Sequence, residues 1–378
     1  MAITENVTPT LAPGELPPMD VGSRMDALRA RFGELGVDAL VVTELTNIRY
    51  LSGFTGSSAV LLVREADAVF VTDGRYTTQS EQELSDAGVS AHIEISSEGP
   101  EAAAAAAAGG VDRLGLEADS VSWSSQRRWA SELFSGELVP TTLAVEALRL
   151  VKDAGEVARI RSACAIADTA LAQVQSRLSE GPTEKEFALE LEAAMMRLGA
   201  AELSFDTIVA SGPNGARPHH QPSGRRISDG DLVVVDFGAL VDGYHSDMTR
   251  TFAVGDVGAD RTRMVDVVTE AQAGGVEVVA AGVQAAEVDA RCRSIIEEAG
   301  WGEAFLHGTG HGVGLDIHEE PRVSGRSAAT LASGQVVTVE PGVYLPDLGG
   351  VRVEDTVVVT DNGCERLTLA SKTPQPIH

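Results

Sequence analysis

Cysteine is scarce in this chain of 378 residues: Cys164, Cys292 and Cys364 lie far apart, with no CxxC spacing. An odd, sparse set argues against a disulfide framework and for a reducing compartment. It also excludes a thiolate zinc site, which needs several sulfurs close together. Basic residues are few as well, 29 against 56 acidic ones, giving a formal charge of −27. Such a surface repels phosphate backbones and anionic lipid, so no nucleic-acid and no membrane partner is expected. No apolar run approaches the ~18 residues of a membrane-crossing helix. The opening stretch MAITENVTPTLAPGELPPMDVGSR has neither the basic nor the apolar region of a signal peptide. Together these absences predict a cytoplasmic protein.

What remains is an ordinary soluble composition, 43% apolar and 22% charged, in a chain long enough for two domains. Residues 1–22, which carry Pro, Thr and Gly, read as a disordered or loosely attached arm. An amphipathic helix is predicted from Ser23 to Gly36. Strands follow at 38–43, 58–63 and 68–72, and the alternation of helix and strand over 23–150 indicates an α/β layer. The alanine run 102–108 reads as helical or linker-like. Composition changes near Val151. A long helical pattern from Lys152 to about Leu178 places Val157, Ile160, Ala163, Ile166, Ala167 and Ala170 on one face, with Cys164 as a small core residue. A second helix opens on the capping box Thr183-Glu-Lys-Glu186 and runs to Gly199. Strand hairpins and two further helices, around 261–281 and 286–300, make residues 151–378 an α+β domain.

The chemistry gathers in that second half. Leu232-Val-Val-Val-Asp236 is an apolar strand ending on a carboxylate, and after a turn at Val241-Asp-Gly243 the chain returns through Ser246-Asp247. A turn centred between Val241 and Asp242 would put Asp236 and Asp247 directly opposite, about 5 Å apart at Cβ. With Asp-Gly as the two central turn residues the pair becomes diagonal. Carboxylates so close repel unless a proton or cation lies between them. A second hairpin repeats the pattern, with Glu340 ending one strand and Arg352 and Glu354, two apart, on the return. Between the hairpins lies His307-Gly-Thr-Gly-His311-Gly-Val-Gly-Leu-Asp-Ile-His318, whose glycines defeat a helix and suggest tightly approached extended backbone. Upstream, Pro218-His219-His220 follows a turn-rich segment. Any one of these residues has a bland explanation as a cap, a loop residue or a satisfied histidine. Their coincidence at the ends of apolar strands, where polarity is unexpected, points to a metal site.

The segments VVVDFGALVDGYHSDMTRTF, HGTGHGVGLDIHEEP, VVTVEPGVYLPDLGGVRVEDT and ASGPNGARPHH resemble the pita-bread metallopeptidases, in their Xaa-Pro dipeptidase (prolidase) and Xaa-Pro aminopeptidase (aminopeptidase P) branch. NIRYLSGFTG and TDGRY in the first half are similar to that family's creatinase-type accessory domain. The resemblance implies a C-terminal pita-bread domain at 151–378 behind an N-terminal α/β creatinase-like domain at 23–150. It implies two divalent ions, most often Mn²⁺, with Co²⁺ or Zn²⁺ as alternatives. Asp247 and Glu354 would bridge them, Asp236 would complete one shell, and His311 and Glu340 the other. A metal-bridging hydroxide would attack the carbonyl before proline while Glu340 assists proton transfer. By the same match, His219 and His318 would contact the substrate, with His307 and Arg352 supporting them; His220 and His245 have weaker claims. The implied substrates are proline-containing dipeptides or short peptides, and the implied assembly is a homodimer. Methionine aminopeptidase shares the five-ligand pattern and is the alternative enzyme. A non-catalytic pita-bread binding protein is the alternative outside enzymes.

Overall fold

A computed structural model describes residues 16–372. Most of the expected arm, residues 1–15, lies outside the described residues; beyond it, Val21 is buried. The described chain divides into two compact units, one spanning Pro18–Arg149 and the other comprising Leu16, Pro17 and everything from Leu150 onward.

In the first unit the single helix expected over 23–36 is two short ones, α1 (Arg24–Arg29) and α2 (Phe32–Leu35). The chain re-aims between them, where the Arg31 guanidinium donates to the Leu143 and Ala144 carbonyls at 3.0 and 2.5 Å. Gly36 ends α2 in the left-handed conformation, φ 70°. The expected strands appear as β1 (Ala39–Val42), β2 (Ala59–Arg64) and β3 (Ala68–Thr72), with α3 (Leu45–Ser52) after β1. The chain continues through α4 (Thr77–Asp86), β4 (His92–Ile95), α5 (Pro100–Ala107), β5 (Arg113–Glu117), α6 (Trp123–Arg128), β6 (Glu137–Thr141) and α7 (Glu146–Arg149). The strands form one sheet in the order β4-β3-β2-β1-β5-β6, antiparallel at β1–β2 and β2–β3 and parallel elsewhere. The alanine run is helical because its small side chains let α5 settle on β2 and β3, with Ala104 and Ala105 buried.

The second unit opens with α8 (Ala154–Val174) and α9 (Glu184–Arg197). Each starts on a complete capping box, Asp153 with Glu156 and Thr183 with Glu186. The face expected on α8 is the buried one except at Val157, which is half-buried, and Cys164 lies within it, fully enclosed. Next come β7 (Glu202–Leu203), β8 (Ile208–Ser211), β9 (Leu232–Phe237), β10 (Ala239–Val241), β11 (Tyr244–His245) and β12 (Met248–Ala253). Helices α10 (Ala259–Val278) and α11 (Ala285–Glu298) follow. The chain then supplies β13 (Gly310–Gly312), β14 (Glu319–Val323), β15 (Val336–Val339), β16 (Gly342–Leu345), β17 (Gly349–Arg352), β18 (Asp355–Thr360) and β19 (Gly363–Arg366). Two small sheets, β12-β9-β8 and β14-β13-β15-β18-β19, carry the residues of interest. Apolar cores lie beneath them: α8 and α9 pack under the first, α10 and α11 under the second. The rigid side of each sheet is therefore helical, and polar residues at the strand ends face a cavity.

Candidate metal centre

Leu232–Phe237 is buried throughout except at Asp236, which is half-buried. Across the ladder, Asp236 pairs with Thr249 and Phe237 with Met248. Asp242 and Gly243 are the two turn residues, at φ 47° and 77°, enclosed by the pair Val241–Tyr244, with Leu240–His245 the pair before it. Left-handed values at both positions are what a tight two-residue hairpin turn needs. Asp236 and Asp247 are therefore diagonal, and the direct opposition considered from sequence is corrected. The ladder breaks between Phe237 and Ala239, and Asp247 lies in that break. The second hairpin breaks in the same way. Val339 pairs with Asp355 and Gly342 with Arg352, leaving Glu340 and Glu354 one step past the last pair on each side. Asp247, Glu340 and Glu354 thus sit where pairing stops, while Asp236 stays paired within its sheet, one residue before the break.

Strand β13 brings the imidazole. A Cβ on Gly310 would collide with the Thr338 carbonyl, and one on Gly312 with the Glu320 carbonyl, so this backbone passes at a distance only glycine permits. His311, between them, lies with Nε2 3.5 Å from Asp247 Oδ2 and 3.4 Å from Glu340 Oε1. Its Nδ1 donates to the Gly312 carbonyl at 2.9 Å, and burial lowers its pKa to about 4, so Nε2 keeps a lone pair. Asp247, His311 and Glu354 present ligand atoms all within 4.8 Å of one another.

The cavity they face measures ≈ 660 Å³. All nine residues singled out from sequence line it: Asp236, Asp247, His219, His307, His311, His318, Glu340, Arg352 and Glu354. His318 packs edge-on against His311, ring centroids 4.4 Å apart. His245 stands apart, bonded through Nδ1 to Ser204 Oγ at 2.9 Å.

Two residues went unnoticed in the sequence. Thr249 Oγ1 donates to Glu354 Oε2 at 2.7 Å and accepts from Arg352 Nε at 3.0 Å, tying the two hairpins together. Tyr344 Oη accepts from Arg352 Nη1 and donates to His307 Nε2, each at 2.8 Å, because His307 Nδ1 already donates to the Gly308 carbonyl. Arg352 Nη2 ends the chain on Asp236 Oδ2 at 2.6 Å. The available signal for Tyr344 was glycine: a Cβ on Gly342 or Gly350 would lie 2.5 or 3.0 Å from the tyrosine side chain. Losing the hydroxyl in Tyr344→Phe should lower activity or metal affinity about 10- to 100-fold, as removal of outer-shell partners generally does. Steady-state kinetics against added Mn²⁺ checks this.

Without a cation the site is electrostatically frustrated. Burial, then the neighbouring Glu354, Asp236 and Glu340, hold Asp247 well above the usual carboxylate range. Burial with Glu340 and Asp236 does the same to Glu354, and burial with Asp236 raises Glu340 to about 7. At these three carboxylates the native metal-free state thus binds more protons than the unfolded chain, and their contribution to stability falls as pH rises. For Glu340 that window runs from its ordinary 4.5 to about 7. Relative to Glu340→Gln, the metal-free wild type should therefore melt progressively lower as pH rises from about 5 to about 7.5. The buried His307 and His311, whose lowered pKa values act the opposite way, are common to both proteins and cancel, and a constant difference would contradict this charge arrangement.

The model of metallopeptidase family M24 matches residues 158–361, more than half of the chain, and that of the creatinase/prolidase N-terminal domain matches residues 24–151. The chain belongs to metallopeptidase family M24. It is 40% identical over 353 residues to an uncharacterized peptidase of Bacillus subtilis, covering 92% of this chain and 98% of that one. A solved Xaa-Pro dipeptidase from Bacillus anthracis superposes with a TM-score of 0.90 at 40% identity, covering 93% of this chain and 98% of that one. A solved X-Pro aminopeptidase from Thermotoga maritima does so with a TM-score of 0.83 at 35% identity, covering 91% and 99%. The fold is thus a pita-bread domain preceded by a creatinase-type domain.

An M24 peptidase works with divalent metal, and the residues here suit one. Asp236 Oδ1 and Glu354 Oε1 are buried with no hydrogen-bond partner among the described residues. Each carboxylate has its other oxygen held, by Arg352 and by Thr249. A buried anionic oxygen without a partner is costly unless a cation meets it. Carboxylate oxygens with one imidazole form a donor set for a hard or borderline divalent ion.

Proposed function

We propose that this M24 chain hydrolyses the bond between an N-terminal residue and proline in dipeptides or short peptides, using two divalent ions held by Asp236, Asp247, His311, Glu340 and Glu354 of the domain at 151–378. The observation that carries the reading is the pair of orphaned oxygens, on Asp236 and Glu354, beside an imidazole nitrogen aimed at Asp247 and Glu340. The four carboxylates carry four negative charges, which two dications balance. Manganese is the first candidate, with cobalt or zinc as alternatives. Bound there, the ions would polarise the scissile carbonyl and lower the pKa of water.

The chain's own groups supply the rest. Glu340, at the cavity wall, moves a proton from the attacking water toward the departing proline nitrogen. His219 and His318 are exposed on the same wall, and they orient the peptide and donate to its carbonyl oxygen as charge develops. Arg352 and Tyr344 fix Asp236, and Thr249 fixes Glu354. Relatives named for action on Xaa-Pro substrates support the proline specificity. Cytoplasmic placement and a homodimer belong to the same proposal; no helix among the described residues is long and apolar enough to cross a membrane.

A second guanidinium lines the cavity, that of Arg322, whose nearest carboxylate, on Glu320, is 3.9 Å away. It suits the free C-terminal carboxylate of a dipeptide, which a longer peptide would present farther off. Arg322→Gln is expected to raise KM for Ala-Pro about tenfold, the worth of one charge-assisted hydrogen bond, and to change KM for Ala-Pro-Ala much less. Assaying the wild-type chain on Ala-Pro and Ala-Pro-Ala with added Mn²⁺ tests the whole reading. Turnover of neither would overturn it. Cleavage of Met-Ala instead would favour a methionine aminopeptidase, and failure to take up metal a non-catalytic binding protein.

A further inference from the structure

Glu184 is the first residue of α9, and its side chain is fully buried. It is not needed to cap that helix, because Thr183 and Glu186 already do so reciprocally at 3.2 and 2.7 Å. Its carboxylate instead turns inward and accepts six hydrogen bonds. Oε1 receives Ser211 N, Ser211 Oγ and Asn214 Nδ2 at 2.8, 2.7 and 2.9 Å. Oε2 receives His220 Nε2, Ser223 N and Ser223 Oγ at 2.9, 2.9 and 2.6 Å. Every donor lies in the segment 211–223, so one carboxylate fastens both ends of a loop. His219 sits inside that loop, exposed on the cavity wall.

The other side of the loop is held by close backbone packing. A Cβ on Gly349 would lie 2.6 Å from the Gly212 carbonyl oxygen, and one on Gly215 2.9 Å from the Gly350 nitrogen. Arg352 Nη1 reaches the Pro218 carbonyl at 3.4 Å. The loop is thus pinned between α9 and β17, the strand that carries Arg352. A buried carboxylate is tolerated only when its hydrogen bonds are filled, and here the filling rigidifies one segment of the cavity wall.

We propose that Glu184 is a positioning residue for the peptidase reaction, acting through His220 and the clamped 211–223 loop to hold His219 toward the substrate. The inference rests on the role given to His219 in the proposed function. A carboxylate only accepts, so His220 Nε2 carries its proton toward Glu184 and its ring is fixed in orientation. His220, one residue from His219, then acts as a peg rather than a substrate contact.

A double-mutant cycle with a spectroscopic arm tests this. Glu184→Gln should lower kcat/KM about 10- to 100-fold, as loss of an outer-shell partner does. On a His219→Ala background the same change should cost less than about twofold, the scatter of uncoupled sites. His220→Gln, which still offers an N–H to Glu184, should retain more activity than His220→Ala. In histidine NMR spectra recorded with and without Zn²⁺, wild type should show a slowly exchanging His220 Nε2–H and one set of His219 ring signals. Glu184→Gln should lose the first and broaden or split the second, leaving His311 unchanged. An equal loss in both backgrounds, no loss in either, or unperturbed His219 signals overturns the positioning role. A wild-type chain inert toward Xaa-Pro peptides would sink the substrate reading alone, because the spectra do not depend on turnover.

Discussion

Replacing Asp247 by asparagine is expected to abolish peptidase activity while leaving the metal-free protein at least as stable as the wild type. Asp247 is buried, 3.5 Å from His311, and within the group of ligand atoms that it shares with His311 and Glu354. Asparagine keeps the shape and removes the charge. Stabilisation of transition-state charge by metal is worth several kcal/mol, so its loss should cost about 10³-fold or more in kcat/KM. In the metal-free state the same change removes a group that burial and three neighbouring carboxylates push toward protonation. The melting temperature without metal should therefore stay level or rise, while the increase on adding Mn²⁺ should disappear. Most of the activity surviving in Asp247→Asn would show that this carboxylate does not bind metal.

Glu340→Gln should be nearly as damaging, for a different reason. Glu340 lies 3.4 Å from His311 and accepts from Thr338 Oγ1 at 3.2 Å, with burial lifting its pKa to about 7. Glutamine can occupy the same space and offer one oxygen to a cation, but it cannot carry a proton between water and the leaving nitrogen. General acid–base assistance contributes about 10²–10⁴-fold, and kcat should fall within that range. KM should change little at saturating Mn²⁺, since the groups proposed to hold the peptide, His219 and His318, are untouched. A variant that loses metal at saturating Mn²⁺, or that changes KM and not kcat, would leave Glu340 its metal-holding role and overturn its role in proton transfer.

Much of this arrangement was legible because each site residue interrupts an apolar pattern. Asp236 and Glu340 stand at the ends of all-apolar strands, and His311 lies among glycines that local propensity alone would not retain. The strands at 39–42, 59–64 and 68–72 and the helices α8 to α11 followed from periodicity and caps. Features set by register or by distant partners were not legible. Whether Asp236 faces Asp247 or Thr249 depends on one turn residue, Asp242, adopting a left-handed φ. Thr249, Tyr344 and Glu184 are ordinary in their local sequence and gain meaning from partners at Glu354, His307 and His220. The break between α1 and α2 likewise arises from Arg31 reaching carbonyls more than a hundred residues away.

Calorimetric titration of the metal-free protein with Mn²⁺ near pH 7, in buffers of differing ionisation enthalpy, tests the central claim most directly. Two ions should bind per chain, and binding should release protons, because Asp247, Glu340 and Glu354 are held above their ordinary pKa values until a cation arrives. Binding of less than about one ion per chain, or binding with no proton release, would contradict a dinuclear centre built on these carboxylates.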